Sequence, residues 1–463
     1  MAFKDYPFKD YLKRRSLRVR DDKTTKAAEL TLRESLYPIA IVTILFLLWG
    51  FSYGLLDTLN KHFQNVLDIS KARSSGLQAA YFGAYPLASL GHAAWILRHY
   101  GYRAVFIWGL CLYGLGGLLA IPAVKQRSFG GFCACIFIIG NGLGSLETAA
   151  NPYLAVCGPP RYSEMRINLA QAFNGIGTVI APVLGSYVFF SSSDQAAMQN
   201  VQWVYLAIAC FVFLLAVVFF LSDIPEITDA DMAFQAAETH AGADGLPFRQ
   251  QYRLFHAALA QFCYTGAQIA IASYFINYAT ETRPKTDSAL GAKFLSGAQA
   301  AFALGRFVGV VLMGFIRPRV VFGVYLTLCM VFVAPSITQT GGNTGMAMLF
   351  VTLFFESICF PTIVALGMRG LGRHTKRGSG FIVGGVLGGA CVPPLTGLAA
   401  DRHGTALAMV VPLCFFGAAW TYALAVNFWP WYRDTTDAFE LSQVGLRGQP
   451  EGKTDKESKG VEG

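Results

Sequence analysis

Two acidic side chains lie in segments of this chain that are otherwise almost free of charge. Glu147 is the one charged residue between positions 132 and 156, and Asp57 lies near the end of an apolar run that begins near Tyr37. At the centre of a membrane-spanning helix, a charged side chain costs about 2.5–3.5 kcal/mol on insertion scales. Such residues usually face a cavity, where a buried carboxylic acid can gain and lose a proton near neutral pH. We expect Glu147 and Asp57 to carry protons, although Asp57 could also be an interfacial acid at a helix end.

Amide and tyrosine side chains in other apolar segments could contact a polar ligand. Three of the amides recur at i, i+3 and i+6. Amides both donate and accept hydrogen bonds, so they suit a hydroxyl-rich ligand, but they also join helices to one another. Tyrosine rings could stack on a sugar ring or simply pack. The candidates for substrate contact are Asn168, Gln171, Asn174, Gln268, Tyr53 and Tyr85.

Arg306 is a cation inside a long apolar segment and therefore needs a partner. Glu356 is a candidate partner for Arg306, because it is a second acid within an apolar run. A structural ion pair between helices is one interpretation, and a gating contact is the other. Pro152 and Pro361 each follow an acid by five residues, and we expect both to have structural or gating roles.

The composition is that of a membrane protein rather than of several soluble domains. The 463 residues are 54% hydrophobic and 14% charged, with a mean hydropathy of +0.43, whereas soluble domains carry about 25% charged residues. The net charge of +9 does not indicate a nucleic-acid partner, because the basic residues lie mostly in tails and short connectors. The spacing of the ten cysteines predicts neither disulfides nor a metal site. We expect no cofactor, and no nucleophile–base constellation points to an enzyme.

The apolar runs are long enough to cross a membrane as helices, which need about 20 residues each. Helices satisfy their own backbone hydrogen bonds in lipid, so an all-α membrane protein is expected. Twelve spans are predicted, numbered in chain order, at 37–58, 76–97, 104–123, 130–157, 167–190, 202–221, 252–279, 292–316, 320–338, 345–369, 379–400 and 405–428.

A polar stretch at 222–251 divides the spans into six and six. With both ends on one side, that side carries most of the 37 Lys and Arg residues, so both termini and the stretch are predicted to be cytosolic. The predicted units are an N-terminal tail at 1–36, a six-helix bundle at 37–221, a linker at 222–251, a second six-helix bundle at 252–430 and a C-terminal tail at 431–463.

The two halves contain matching patterns. Glu147–Pro152 in span 4 is echoed by Glu356–Pro361 in span 10, since each segment has an acid, a hydroxyl residue and a proline at the same offsets. Gly177–Gly185 in span 5 and Gly389–Gly397 in span 11 share the spacing of two glycines and a proline. Internal repeats of this kind are common in transporters, whose substrate site lies at the repeat interface near the midplane.

Longer motifs resemble the fucose permease branch of the major facilitator superfamily, in the same order, from about residue 37 to 430. The resemblance implies the major facilitator fold, with twelve helices in two six-helix bundles that rock about a central cavity. It also implies symport of L-fucose or a related hexose with protons, in which Asp57 and Glu147 are the proton-linked acids. The motifs lie at 146–152, 166–174, 261–268, 305–307 and 360–363.

The chain differs from the bacterial fucose permeases at three places. In the first span, the permeases have asparagines just before the aspartate, where this chain has residues 53–56. In span 10 they have a tyrosine where this chain has Phe360. The superfamily's usual loop between spans 2 and 3 is replaced in this chain by residues 91–98. The acids are retained while ligand-facing groups change. The resemblance therefore predicts proton coupling, while the sugar could be fucose-like or galactose/glucose-like.

The expected partners are a small polar solute such as a sugar, protons and the lipid bilayer, most simply in the plasma membrane. One alternative is a proton-driven exporter of a small organic metabolite, which would use the same acids. Another is a membrane sugar sensor that does not transport. The sensor gains no support from the sequence, because the predicted tails are short.

Overall fold

A computed structural model describes residues 30–67, 69–188, 194–222, 224–238, 246–338 and 342–440. Within these ranges the secondary structure is helical, and no strand occurs. Ten helices there are long and apolar enough to cross a membrane. One of the ten, Lys71–Lys125, reverses direction and supplies two crossings, and Tyr252–Thr282 adds a further one. The predicted fold of twelve membrane-spanning helices is confirmed. Most of the two predicted tails lies outside the described residues.

The first half contains spans 1 to 6. Several helices start at a side chain that caps the free backbone N–H groups of the first turn: Ser128 accepts a hydrogen bond from the Gly131 amide at 3.1 Å. The helix bounds are Leu32–Leu67 for span 1, Lys71–Ser74, Gly76–Gly83 and the π-helical Leu87–His92 for the start of span 2, Ala93–Lys125 for its end and span 3, Phe129–Val156 for span 4, Ser163–Val188 for span 5 and Asp194–Leu221 for span 6.

Gly101 reverses the chain between spans 2 and 3. Its φ of 82° and ψ of −174° lie in a region that glycine adopts without steric cost. As a result, the helix after Gly101 runs back along the helix before it, and the Trp108 indole N–H donates to His92 Nδ1 at 3.0 Å. The loop that the sequence places at 98–103 is therefore a single-residue turn within an otherwise helical segment.

The second half contains spans 7 to 12. Spans 10, 11 and 12 are each built from shorter helices. The bounds are Tyr252–Thr282 for span 7, Ser288–Met313 for span 8, Pro318–Ile337 for span 9, Gly342–Glu356 and Cys359–Met368 for span 10, Thr375–Gly384, the 3₁₀ turn Gly385–Leu387 and Gly388–His403 for span 11, and Thr405–Ala408 and Val410–Phe428 for span 12. Pro430–Glu440 forms a further helix after span 12.

In the described part of the linker, Asp229–Glu238 forms an α-helix and Phe248–Gln250 a 3₁₀ turn. The α-helix packs against the start of span 11, and its Gln235 side chain donates to the Val156 carbonyl of span 4 at 3.0 Å. Glu226, just before it, accepts hydrogen bonds from the backbone amides of Tyr102 at 2.8 Å and Arg103 at 3.1 Å. Asp229 forms an ion pair with Lys376 at the start of span 11 at 3.1 Å. The surface that carries this linker is called the linker face below, and the surface at the other ends of the spans the opposite face.

Buried side chains form two large apolar clusters. One is built mainly from spans 1 to 6 and the linker, and the other mainly from spans 7 to 12. Some residues of spans 10 and 11, such as Val364 and Ile382, pack with the first cluster. The clusters do not mark where one bundle ends, so the bundle limits at 37–221 and 252–430 stay a prediction.

Candidate functional site

A small cavity of about 70 Å³ lies between the two halves. Eight spans contribute to its wall: spans 1, 2, 4 and 5 from the first half, and spans 7, 8, 10 and 11 from the second. Its wall combines aromatic rings with a carboxyl, amides and a guanidinium, which is the usual make-up of a site for a small polar ligand. The lining residues are Trp49, Tyr53, Tyr81, Phe82, Tyr85, Glu147, Gln171, Asn174, Thr265, Gln268, Ile269, Phe302, Arg306, Phe360 and Val386.

Glu147 reaches the cavity from the middle of span 4 and is only 5% exposed. Small residues let span 4 pack closely against span 2. At Gly140 there is no room for a side chain, because an added Cβ would lie only 2.2 Å from the Tyr81 carbonyl oxygen. The carboxyl lies beside the Tyr85 hydroxyl. On its other side, the Asn151 side-chain amide donates to Oε1 at 3.4 Å. Glu147 is therefore a buried acid with few polar neighbours that faces the cavity.

Aromatic rings of span 2 form one wall beside Glu147. The ring centroids of Tyr81 and Phe82 are 4.6 Å apart, and that of Tyr85 lies 5.8 Å from Tyr81 and 5.9 Å from Phe82. Rings from span 8 and span 10 face the same cavity from the second half. Such a wall can stack on the apolar face of a sugar ring, while the tyrosine hydroxyls offer hydrogen bonds.

Two of the three span 5 amides line the cavity, and the third does not. Gln171 and Asn174 belong to the wall. Asn168 is fully buried, and its side-chain amide donates to the Glu164 carbonyl at 2.9 Å and to Thr362 Oγ1 at 3.4 Å. Six residues of helix rise about 9 Å, so residues at i and i+6 lie at different depths. Asn168 lies nearer the linker face and joins span 5 to span 10.

Arg306 crosses from the second half to the first within the cavity wall. Its Nη1 donates to Asn174 Oδ1 at 2.8 Å and also to the Gln171 carbonyl, both on span 5. Its Nε donates to the Ser357 carbonyl of span 10 at 2.9 Å. The guanidinium also lies over the Phe302 ring, 4.3 Å from its centroid. Arg306 thus joins three spans at the level of the cavity.

Glu356 is buried near Arg306 but is not part of the cavity wall. The Arg306 guanidinium interacts electrostatically with the carboxyls of Glu356 and Glu147. The Tyr264 hydroxyl donates to the main-chain carbonyl of Glu356, which fixes this part of span 10 against span 7. The matching positions of Glu147 and Glu356 in the two halves therefore have different surroundings.

The two prolines free carbonyl groups for contacts between helices. A proline inside a helix cannot donate to the carbonyl four residues before it. For Pro361 that carbonyl belongs to Ser357, which accepts from Arg306 instead. For Pro152 it belongs to Thr148, which accepts from the Ser379 hydroxyl of span 11 at 3.4 Å.

Asp57 lies on span 1, within the helix Leu32–Leu67, but its side chain is outside the described residues. Of the other residues predicted for substrate contact, Tyr53, Tyr85 and Gln268 line the cavity. The prediction did not include Thr265 and Phe302. They lie one helical turn from Gln268 and Arg306 respectively, so the helical period could have identified them.

A family model described as Major Facilitator Superfamily matches residues 39–390. An L-fucose-proton symporter of Escherichia coli (strain K12) is 33% identical over 407 residues, which are 83% of this chain and 92% of that protein. A glucose/galactose transporter of Brucella abortus biovar 1 (strain 9-941) is 30% identical over 399 residues, 84% of this chain and 93% of that protein.

Solved structures match over similar lengths. The crystal structure of the transporter FucP in the outward conformation has a TM-score of 0.68 and 33% identity, covering 84% of this chain and 98% of that chain. The proton:xylose symporter XylE, bound to 6-bromo-6-deoxy-D-glucose, has a TM-score of 0.64 at 12% identity, covering 85% of this chain and 95% of that chain. At 12% identity the second match concerns the fold alone.

Proposed function

This chain belongs to the Major Facilitator Superfamily, and from that premise we propose that it is a secondary active transporter that carries a monosaccharide together with protons by alternating access. One observation carries this proposal. Glu147, a buried acid in an apolar span, faces a cavity whose wall holds the amides and aromatic rings that a sugar needs. The acid and the ligand groups share one space between the two halves.

The wall supports a neutral, hydroxyl-rich substrate. Gln171, Asn174 and Gln268 can donate to and accept from sugar hydroxyls, and Tyr53 and Tyr85 can add both ring and hydroxyl contacts. The related proteins are named for L-fucose and for glucose or galactose. Phe360 also faces the cavity, so that position offers a ring but no hydrogen bond. The proposed substrate class is a hexose or 6-deoxyhexose.

Proton coupling is proposed to use Glu147 and Asp57. The support for Glu147 is its burial and its place in the cavity wall. The support for Asp57 is that the family resemblance implies a proton-linked acid at this position of span 1. Arg306, Glu356, Pro152 and Pro361 are proposed to hold the helices around the cavity. Asn168 is proposed to join spans 5 and 10 rather than to touch the substrate, because both of its described contacts are within the protein.

The protein is a multi-pass integral membrane protein, and we propose the plasma membrane as its site. The basic connectors lie on the linker face, so by the positive-inside rule that face and both termini are proposed to be cytosolic. The opposite face would then receive solutes from outside.

Uptake into proteoliposomes tests the proposed function. Purified protein would be reconstituted, and labelled fucose, galactose and glucose would be offered with the outside more acidic than the inside. We expect accumulation of at least one sugar that collapses when a protonophore dissipates the gradient. Sugar binding without flux would favour a sensor. Proton-driven extrusion of another solute, with no sugar uptake, would favour an exporter.

A further inference from the structure

The face opposite the linker is held closed by a cluster of contacts around Lys71, at the start of span 2. Lys71 Nζ forms an ion pair with Glu281 Oε1, at the end of span 7, at 2.6 Å. The same ammonium lies 3.4 Å from Thr405 Oγ1 and 3.5 Å from the Ala400 carbonyl oxygen. One side chain of the first half therefore reaches three segments of the second half. This cluster is called the Lys71 latch below.

Further hydrogen bonds between the halves surround the Lys71 latch. The Ala72 amide donates to Asp401 Oδ2 at 3.2 Å, and the Tyr274 hydroxyl donates to the Lys71 carbonyl at 3.1 Å. Deeper towards the cavity, Asn277 Nδ2 donates to Gln64 Oε1 at 3.0 Å. Since each of these bonds joins the two halves, opening the cavity to this face must break all of them.

The carboxylate of Glu281, which accepts the Lys71 ammonium, is also held in place by its own half of the protein. Glu281 accepts from the Thr405 amide and from the Thr405 hydroxyl, each at 2.9 Å, so its carboxylate is oriented by span 12. The two halves also touch here through their backbones, because a Cβ on Gly397 would lie 3.0 Å from Ala72 Cα. A pre-oriented acceptor reduces the entropy that the ion pair costs when it forms.

The linker face is closed by contacts of a different kind. Glu164 of span 5 pairs with Arg369 at the end of span 10, and these side chains are only 1% and 2% exposed. The linker adds the Asp229–Lys376 pair, in which the lysine is 4% and the aspartate 37% exposed, so Glu164–Arg369 is the fully buried pair of this face. By contrast, Lys71 and Glu281 are 22% and 34% exposed.

The difference in exposure decides which closure separates more easily. Exposed ion pairs are weak, because water and salt screen them and replace the lost partner. Separating a buried pair leaves charges without a partner in a poorly solvated place, which costs much more. By this comparison, the Glu164–Arg369 pair of the linker face is harder to separate than the Lys71–Glu281 pair of the opposite face.

We propose that the contacts of the Lys71 latch are the first contacts between the two halves to separate. The cavity therefore opens first towards the face opposite the linker. The inference rests on the proposed function, because it assumes that the cavity opens alternately to the two faces. Together with the proposed orientation, it makes the empty protein ready to receive its solute from outside the cell. That favours uptake over export.

Distances between spin labels, measured by pulsed electron paramagnetic resonance, test the proposal without any substrate. Labels at the exposed positions Lys125 and Lys285 report on the opposite face, and labels at Arg161 and Arg373 report on the linker face. The protein would be in lipid nanodiscs, with its accessible cysteines replaced by serine. Lys71→Ala removes the ammonium of the latch, Glu281→Gln removes the charge of its partner, and Arg73→Ala is the matched control. Arg73 is an exposed cation two residues from Lys71.

Lys71→Ala and Glu281→Gln are each expected to raise the population with a longer Lys125–Lys285 distance by about fivefold. The linker-face distance should not lengthen, and Arg73→Ala should match the unchanged protein. Exchanging the two charges, with Lys71→Glu and Glu281→Lys together, should restore part of the closed population.

An unchanged Lys125–Lys285 distribution in both single variants would overturn the proposal. So would an equal change in Arg73→Ala, or an unchanged protein that opens at the linker face instead. Because these distances need no sugar, failure of sugar uptake with a working latch would count against the proposed function alone.

Discussion

At the scale of single residues, function depends on a few polar groups placed where polar groups are costly. Glu147 is recognisable from the sequence, because a lone acid in an uncharged helix rarely lies in a membrane without a role. The structure shows which groups surround the Glu147 carboxyl: the tyrosines of span 2, an amide on span 4 and the guanidinium of Arg306. These neighbours turn an isolated acid into part of a site.

Replacing Glu147 with glutamine should uncouple transport from the proton gradient. The glutamine side chain keeps the shape and can still hydrogen-bond, but it cannot carry a proton. We expect uphill accumulation to disappear while exchange of sugar across the membrane persists. Both can be measured in proteoliposomes, with Asp434→Asn as a control, because Asp434 is exposed outside the spans. Normal accumulation by Glu147→Gln would contradict the proton role.

Gln171 and Asn168 form a matched pair of amides on span 5. Gln171→Ala should raise the half-saturation concentration for sugar by about fivefold to tenfold, because a hydrogen bond contributes roughly 1 kcal/mol. Asn168→Ala should leave that concentration within about twofold and mainly reduce stability, since a buried contact to span 10 is lost. Initial uptake rates at several sugar concentrations distinguish the two. Equal effects of the two variants would place the substrate elsewhere.

At the scale of elements, small residues and prolines decide how closely the helices approach. Spans 7 and 11 touch at Gly388, where an added Cβ would lie 1.8 Å from the Phe262 carbonyl oxygen. Spans 1 and 5 touch in the same way at Gly50, 1.8 Å from the Asn174 carbonyl oxygen. These contacts bring the walls of the cavity together.

Gly388→Ala should therefore destabilise the protein. The methyl group would push span 11 away from span 7, and overpacking of this kind costs about 1–3 kcal/mol. Gly417→Ala is the matched control, because nothing lies within 4 Å of its Cβ position and alanine favours the helix by about 1 kcal/mol. Thermal unfolding in detergent should show a lower Tm for the first variant only. A Tm loss in both would refute the steric explanation.

The linker supplies a prediction about pH. Burial raises the pKa of the Glu226 carboxyl, although the amides of Tyr102 and Arg103 and the nearby positive charges act in the opposite direction. The folded chain therefore holds this proton more tightly than the unfolded chain, whose glutamate pKa is about 4.3. Stability from this group is present below that value and is lost as the pH rises through the folded pKa.

Glu226→Gln removes this pH dependence. We expect the Tm of the unchanged protein to fall relative to that of the variant as the pH rises from about 4.3. The comparison needs unfolding curves of both proteins in the same detergent at each pH. A constant difference in Tm across the range would show that Glu226 does not titrate differently in the folded chain.

At the scale of the whole molecule, contacts between the two halves lie on both sides of the cavity. The Lys71 latch closes one face, and the Glu164–Arg369 pair and the linker close the other. Between them, Arg306 joins the halves beside the cavity. Both sets of contacts must separate in turn if the cavity is to open alternately to the two faces.

Arg369→Ala should loosen the linker face. Removing one partner of a buried ion pair costs about 3–5 kcal/mol, because the remaining charge stays buried. Arg373→Ala is the control, since that residue is exposed four positions along the chain. We expect a marked fall in Tm for Arg369→Ala only, and partial recovery when Glu164→Gln is added. Failure of the second change to help would indicate that Arg369 acts through other contacts, such as the Thr436 carbonyl.

The sequence by itself determined the membrane-spanning helices, their number and the acid Glu147, because hydropathy and the cost of a charge in lipid are properties of local segments. It also predicted most of the amides and tyrosines of the cavity wall. The sequence did not show which of the span 5 amides lies level with the cavity, so Asn168 was predicted to contact substrate although only Gln171 and Asn174 line the wall.

Only the tertiary structure decided which groups meet. The donors of Arg306 go to Asn174 and to main-chain carbonyls of spans 5 and 10, one of them freed by Pro361. The partner of Lys71 is Glu281, more than two hundred residues later in the chain. Such pairings depend on how helices from opposite halves pack, and packing between distant segments leaves no periodic pattern in one sequence. Glu147 was identifiable from the sequence, while the groups around it and the contacts that join the halves at the linker face and the opposite face were not.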